Sequence, residues 1–208
     1  MPSLHPLSFA RRGGRGVRLT NMKNHISPAI RLTIALIILT AVIYPLVVAG
    51  IAKFAPGGGA GETVLVNGKV VGYANIGQKF TEDRYFYSRP SAVDNNAAGS
   101  GGSNKGPSNP DYLKTVQARI DTFLVHNPGV QKSEIPAELV TASGSGLDPD
   151  VSPVAAKIQV ARIANVRGIS AERLNQLIDE QTKGPLLGLF GPSTVNVLKL
   201  NIALNELK

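Results

Sequence analysis

The pattern of apolar and polar residues divides the chain into one long apolar run and a mixed C-terminal part. Residues 32–52 carry no charge, and in a helix rising about 1.5 Å per residue they span roughly 31 Å, the thickness of a bilayer core. A buried core helix is normally shorter, and the apolar core of a signal peptide holds only about 7–15 residues. The pattern therefore predicts an uncleaved transmembrane helix over residues 32–52, with cleavage near the small residues 49–52 as the alternative.

Small residues and a proline mark possible contacts inside this helix. Pro45 removes one backbone hydrogen bond, so we expect the helix to bend there. Small side chains allow close approach of another membrane helix. The candidate contacts with another membrane subunit are Ala41, Pro45, Ala49 and Gly50. The ordinary composition of membrane helices explains the same residues equally well.

After a glycine-rich tether at residues 53–62, residues 63–208 predict a single α+β domain. The short runs 63–66 and 69–71 on either side of Asn67 and Gly68 predict an early β-hairpin with a type I′ turn. Capping residues and apolar spacing then predict three to four helices. These are residues 110–127 after the cap Asn109, residues 153–167 between Ser152 and Gly168, a helix from Ser170 to Gly184, and residues 195–207.

Two clusters of side chains in this domain allow more than one interpretation. Residues 78–90 hold four of the eleven aromatic residues, which favours a corner of the core over a ligand cage. The predicted helix over residues 153–167 carries Lys157, Arg162 and Arg167, which suggests an acidic partner or lipid head groups. A solvated helix face is the more common meaning of such a basic stripe.

The positive charge is concentrated at one end of the chain. The formal net charge is +8, and residues 1–31 account for +6 of it because they contain six cations and no carboxylate. Aromatic residues make up 5% and tryptophan is absent, so a surface that stacks nucleic acid bases is not expected. By the positive-inside rule, residues 1–31 stay in the cytoplasm and residues 63–208 form an extracytoplasmic domain. Residues 1–21 are interpreted as an extension before Met22.

Catalytic and metal-binding patterns are incomplete. The segment 139–149, LVTASGSGLDP, lacks the outer glycines of a G-x-S-x-G nucleophile motif, and His126 is the only histidine beyond the membrane segment. Asp148 and Asp150 lack the other ligands of a calcium loop, and there is no cysteine for a thiolate site. The glycine-rich residues 99–110 do not match a P-loop. A membrane-tethered extracytoplasmic enzyme using Ser145 or Asp148 remains the alternative function, and Asp148 is more simply a turn or cap residue.

Several short sequence motifs occur in the order found in one known family. They are residues 22–25 before the apolar run, 76–78 with Phe80, 85–86, 89–92, 100–104, 139–149, 159–160 with Arg162, and 195–198. In these motifs the chain resembles the C subunit of Kdp-type potassium-transporting ATPases. Asn95 and Asn96 depart from the pattern, since an aromatic residue is expected after Asp94.

The resemblance implies a bacterial inner-membrane protein that is not an enzyme by itself. It implies a single-pass accessory subunit that stabilises assembly of a channel-like potassium-binding subunit with a P-type ATPase subunit, and that raises the ATP affinity of the latter. Because ATP is cytoplasmic and the domain is expected outside, this effect should be indirect. If ATP binds directly, the weak candidates are Ser143, Gly144, Ser145, Gly146, Ser100 and Asn104. We expect no metal, no other cofactor and no nucleic acid on the chain.

Overall fold

The computed structural model describes residues 22–207, which fall into two compact units that divide between Phe54 and Ala55. The first unit is a long helix, and the second is a domain of short strands and helices. Residues 1–21, interpreted above as an extension, lie outside the described residues.

The N-terminal helix, α1, is continuous over residues 22–52 and consists of three segments. Met22–Ile37 and Tyr44–Ala52 are α-helical, and Ile38–Ile43 between them is a π-helical turn. The stretch His25–Ala52 is long and apolar enough to cross a membrane, and none of its most apolar window is buried by the described chain. This agrees with the predicted span, which the helix extends at its N-terminal end.

Pro45 is the second residue after the π-helical turn. A proline has no backbone N–H, and its ring crowds the carbonyl group four residues earlier in a regular α-helix. The wider turn, which Tyr44 N–H closes by donating to the carbonyl oxygen of Leu39, relieves that crowding and keeps the helix continuous. The bend expected at Pro45 stays a prediction.

The predicted hairpin opens the domain. Strand β1, Thr63–Val66, pairs antiparallel with strand β2, Lys69–Tyr73. The two residues between them have the positive φ angles that a type I′ turn requires, +51° at Asn67 and +76° at Gly68. The prediction of this hairpin is confirmed. Glu62, assigned above to the tether, already belongs to the domain because its carbonyl oxygen accepts a backbone hydrogen bond of 2.8 Å from the residue after β2.

A long helix, α2, follows a segment without regular secondary structure and covers Pro110–His126, as predicted. Asn109 caps it by accepting a hydrogen bond of 3.0 Å from the N–H of Tyr112. Pro110 occupies the first helical position, where no N–H is needed. Two short 3₁₀ turns, Lys132–Glu134 and Ala137–Leu139, lead from α2 toward the second half of the domain.

The single helix predicted over residues 153–167 is wrong. The structure has two helices there, α3 at Pro153–Lys157 and α4 at Val160–Arg167. The predicted end is right, since Gly168 closes α4 with a φ of +67°. The break falls at Gln159, whose fully buried amide makes hydrogen bonds with a distant segment of the domain.

A sheet of three short antiparallel strands, absent from the predicted elements, lies among the late helices. Strand β5, Thr194–Asn196, is the central strand. It pairs with β3, Asp150–Val151, on one side and with β4, Thr182–Lys183, on the other. Strands of two or three residues are too short to show an alternating pattern.

Helix α5 directly precedes β4 in the sequence, and helix α6 directly follows β5. The first, Ala171–Gln181, begins after the predicted cap Ser170, and the second covers Val197–Glu206. The last helix therefore starts two residues later than predicted because Val195 belongs to a strand. The described part of the domain has five helices after the hairpin instead of three to four.

The core joins the sheet to the late helices and to the aromatic segment. Phe86, in the aromatic segment, belongs to this core and is 0% exposed. The prediction of a core corner at residues 78–90 is therefore confirmed. The side-chain amide of Asn201 on α6 accepts from Phe86 N–H at 2.8 Å and donates to the carbonyl oxygen of Phe86 at 3.0 Å. Other fully or nearly fully buried members are Val151, Ala155, Ile163, Leu174, Ile178, Val195, Leu200 and Leu204.

Candidate functional site

The two glycine and serine segments named above as nucleotide candidates lie against each other. Gly101 N–H and the hydroxyl of Ser100 both donate to the carbonyl oxygen of Ser145, at 2.8 and 3.1 Å. A Cβ atom on Gly102 would lie 3.0 Å from the carbonyl oxygen of Gly144. The structure therefore brings Ser100 together with the 143–146 turn. Asn104 lies further along the same loop, exposed and with a φ of +52°.

Ser91 ties a third segment into this cluster. Its hydroxyl donates to the carbonyl oxygen of Gly146 at 2.7 Å and accepts from the N–H groups of Val93 and Asn95 at 3.1 and 2.9 Å. In the sequence Ser91 stands out only as part of the family motif at residues 89–92. A serine in an irregular segment shows no periodicity that would reveal such a role.

Two backbone N–H groups at the end of the 143–146 turn are engaged within the domain. Gly146 N–H donates to the Ser143 hydroxyl at 2.9 Å, and Leu147 N–H donates to the Ser145 hydroxyl at 3.1 Å. Ser143 is buried, whereas Ser145 and Gly144 are exposed. A phosphate approaching this turn would therefore compete with existing acceptors for these two N–H groups.

Asp148 is used to hold the turn in place. One carboxylate oxygen lies 2.9 Å from Nη1 of Arg89 in a largely covered ion pair, with the side chains 30% and 24% exposed. The other oxygen accepts from Asp150 N–H at 3.1 Å, so the interpretation of Asp148 as a turn residue is confirmed. Gly77 N–H donates to the carbonyl oxygen of Leu147 at 2.8 Å and joins the segment after β2 to the same turn.

His126 belongs to a different group of side chains from Ser143 and Ser145. Its Nδ1 lies 2.7 Å from Oδ1 of Asp83, and the Tyr87 hydroxyl donates to the same oxygen at 2.5 Å. The hydrogen bond from Tyr87 is the largest cause that lowers the pKa of Asp83, and the contact with His126 adds to it. Burial and the bond to Asp83 raise the pKa of Tyr87 to about 12. The single available histidine is thus bonded to a carboxylate and stacked edge-on against a tyrosine.

Arg162 fixes the segment that carries these groups. Its guanidinium donates to the backbone oxygens of Asp83 and Tyr85, to Oδ1 of Asn127 at 3.1 Å and to Oε1 of Gln159 at 2.7 Å. The side chain is 6% exposed, so the expectation of a solvated basic stripe is wrong for Arg162.

The guanidinium of Arg162 also covers an aromatic ring. It lies 4.0 Å from the centre of the Tyr87 ring, a cation–π geometry. Burial lowers its pKa, and the hydrogen bonds described above compensate the buried charge. Lys157, by contrast, does lie on a solvated face, paired with Asp179 at 2.8 Å.

A groove of about 540 Å³ runs between α2 and residues 79–95. Phe80, Phe123 and Leu139 give it an apolar floor, and Arg89 and Arg119 stand among its polar walls. Arg119 donates to the carbonyl oxygen of Val140 at 3.1 Å. Within residues 22–207 no group of three or more His, Cys, Asp or Glu side chains is placed to hold a metal ion.

The candidate contacts in α1 are all exposed. Ala41, Pro45 and Ala49 follow one another at intervals of four residues, which places them along one side of a helix. Gly50 is next to this stripe, and a Cβ atom added to it would meet nothing within 4 Å.

We expect Gly146→Ala to lower the free energy of unfolding by about 1–3 kcal/mol, because the new Cβ is opposed by both conformation and space. Gly146 has a φ of +69°, and the Cβ would lie 2.6 Å from Cγ2 of Val93 and 2.7 Å from the oxygen of Gly101. Gly144→Ala is the matched control, since its Cβ would meet nothing within 4 Å. Urea unfolding of the full chain in detergent, followed by circular dichroism, measures both. Equal stability of the two variants would contradict the packing described for this turn.

The chain has clear relatives along most of its length. A family model described as "KdpC: K+-transporting ATPase, c chain" matches residues 26–206. A "Potassium-transporting ATPase KdpC subunit" of Flavobacterium psychrophilum is 60% identical over 187 residues, which cover 90% of this chain and 100% of the relative. A protein of the same name from Bacteroides fragilis is 51% identical over 183 residues, covering 86% and 96%. Another from Bacillus cereus is 49% identical over 184 residues, covering 88% and 95%.

Proposed function

The chain belongs to the KdpC family of potassium-transporting ATPase subunits, and from this membership we propose that it is a non-catalytic accessory subunit that stabilises the assembled pump. Its general role as a membrane-anchored accessory subunit in potassium uptake follows from the family and from the apolar helix His25–Ala52. The proposed partners are a channel-like potassium-binding subunit and an ATP-hydrolysing P-type subunit.

One observation carries this proposal. The family match over residues 26–206 includes both the apolar helix and the folded domain, so the two units serve the same function together. The polar groups that would have suggested an enzyme support the same interpretation. Ser145, Asp148 and His126 each make hydrogen bonds that hold neighbouring segments of the domain.

We propose the same membrane orientation as above, with the N-terminus in the cytoplasm of a bacterium and the domain on the outer side of the inner membrane. The cations ahead of the helix support it, since Lys53 is the only charge between the helix and Glu62. A reporter protein that is active on one side of the membrane only, fused after Lys208, tests it. Activity characteristic of the cytoplasm would overturn the orientation.

An effect on ATP then has to be indirect. In this proposal the chain raises the ATP affinity of the ATP-hydrolysing subunit by favouring one conformation of the complex. The 143–146 turn and Ser100 remain the candidate positions if ATP binds the chain itself, with Asn104 nearby. Of these groups, Gly146 N–H and the hydroxyl of Ser100 are already hydrogen-bonded within the domain.

The deciding experiment is copurification. The full chain with a C-terminal affinity tag is extracted from bacterial membranes in a mild detergent, and the proteins that accompany it are identified. We expect the two larger pump subunits to accompany it and a chain ending at Phe54 to lose them, together with growth at limiting potassium. Retention of both subunits and of growth by the shortened chain would overturn the proposal.

The enzyme alternative predicts a different outcome in the same assay. Ser145→Ala and His126→Ala remove the groups it requires and are expected to leave copurification and growth close to normal. Loss of growth by these two variants while the complex remains assembled would favour the enzyme.

A further inference from the structure

The loop between β4 and β5 presents a cluster of large apolar side chains to solvent. Four of them stand within five residues, and we call them the apolar tip: Leu186, Leu187, Leu189 and Phe190, which are 70%, 81%, 81% and 64% exposed. Single exposed apolar residues need no explanation, but a contiguous group of this kind marks an interaction site.

The apolar tip is a preformed turn. Leu186 N–H donates to the carbonyl oxygen of Phe190 at 2.8 Å, and Phe190 N–H donates to that of Leu186 at 3.0 Å. Gly188 N–H closes a tighter turn inside it by donating to the carbonyl oxygen of Pro185 at 3.0 Å. Because these bonds hold the turn before any partner arrives, little ordering entropy is lost on binding.

Leu187 is an unusual residue for its backbone conformation. Its φ is +54°, and the other described non-glycine residues with positive φ are Asn67, Asp94, Asn95 and Asn104. Asparagine and aspartate tolerate this region, whereas a leucine there is strained. Neither backbone preference nor packing explains a leucine at an 81% exposed position. A contact with another molecule explains it, since strain of this kind is commonly stored at functional sites.

We infer that the apolar tip inserts into an uncharged apolar recess on another protein subunit of the same complex, an inference that rests on the proposed function. The charge distribution decides between protein and lipid. Residues 184–198 contain no charged side chain, and only Lys183 and Lys199 stand at the two ends of this stretch. Segments that lie in a membrane interface carry Lys and Arg on their polar face beside the apolar residues.

The size of the apolar tip agrees with the role of an anchor. A stable interface buries at least about 1,000 Å² in total, which four side chains do not supply alone. A few well-packed apolar side chains can nevertheless carry much of the binding energy. The helix α1 confines the domain near its partners, and this raises the effective concentration of the apolar tip.

Photocrosslinking identifies the occupant. The chain has no cysteine, so Leu189→Cys in the full chain accepts a photoreactive maleimide at one position. In the assembled complex we expect irradiation to give a crosslinked band that contains one of the two larger subunits. Val125→Cys on α2 is the matched control because Val125 is 78% exposed, and it should give at least fivefold less of that band. Adducts with lipid alone, or equal bands from both positions, would overturn the inference.

A pair of substitutions tests whether the contact matters. Leu187→Asn with Leu189→Ser removes two apolar side chains and places a suitable residue at the positive φ, so the domain should unfold at the same urea concentration. We expect recovery of the two larger subunits to fall at least tenfold, against less than twofold for Val125→Ser. Unchanged recovery would overturn the inference alone, whereas a wild-type chain that recovers neither subunit would overturn the proposed function.

Discussion

Replacing Arg162 by methionine is expected to lower the free energy of unfolding of the domain by about 3–5 kcal/mol, because several neutral acceptors lose their hydrogen bonds to one buried charged donor. Methionine fills much of the same volume but leaves the oxygens of Asn127 and Gln159 and two backbone carbonyl groups without this donor. A buried acceptor that loses its partner costs its full desolvation free energy. The ring of Tyr87 also loses the cation above it.

Urea unfolding of the full chain in detergent, followed by circular dichroism, measures this loss. Arg173→Met is the control, because Arg173 is about half exposed and its ion pair with Glu180 is long at 3.8 Å; we expect a change within about 0.5 kcal/mol. Arg162→Lys should recover little, since a single ammonium group cannot reach acceptors that a planar guanidinium spans. A loss below about 1 kcal/mol for Arg162→Met would show that the network does not hold the 83–87 segment.

Arg162 also shows why the burial of a side chain cannot always be predicted from the local sequence. Lys157, Arg162 and Arg167 look alike in a helical pattern, yet Lys157 lies on a solvated face and Arg162 is buried. Burial of Arg162 depends on the segment around Asp83, about 80 residues earlier, which supplies the acceptors. No local pattern encodes such a partner. Contact with the same distant segment explains why the break at Gln159 was not predicted, since the Gln159 amide bonds to Tyr87.

Elements specified by neighbouring residues were predictable. The hairpin turn at Asn67 and Gly68, the cap at Asn109 and the end of α4 at Gly168 each follow from the conformational preference of one or two residues. The sheet around Thr194–Asn196 was missed because its strands pair across distant parts of the chain. Ser100 and residues 143–146 stand out in the sequence by their glycine and serine content. Their hydrogen bonds to Ser91 and to each other could not be read from composition.

Phe86→Ala is expected to lower the free energy of unfolding by about 3–5 kcal/mol, the usual cost of removing a buried phenylalanine side chain. Phe86 is 0% exposed and packs in the main core between the irregular N-terminal half of the domain and α6. The substitution keeps the backbone N–H and carbonyl group that Asn201 engages. The measured loss therefore reports the cavity and not a broken hydrogen bond.

Asn201→Leu separates the two contributions at this position. It keeps apolar volume next to Phe86 but leaves a buried backbone donor and acceptor unpaired, for an expected loss of about 1–3 kcal/mol per group. Phe190→Ala is the control for removal of an exposed phenylalanine and should change stability by less than about 0.5 kcal/mol. If Phe86→Ala cost no more than Phe190→Ala, the aromatic segment would not belong to the core. The attachment of residues 83–87 would then depend on the hydrogen bonds with Gln159, Arg162, Arg167 and Asn201.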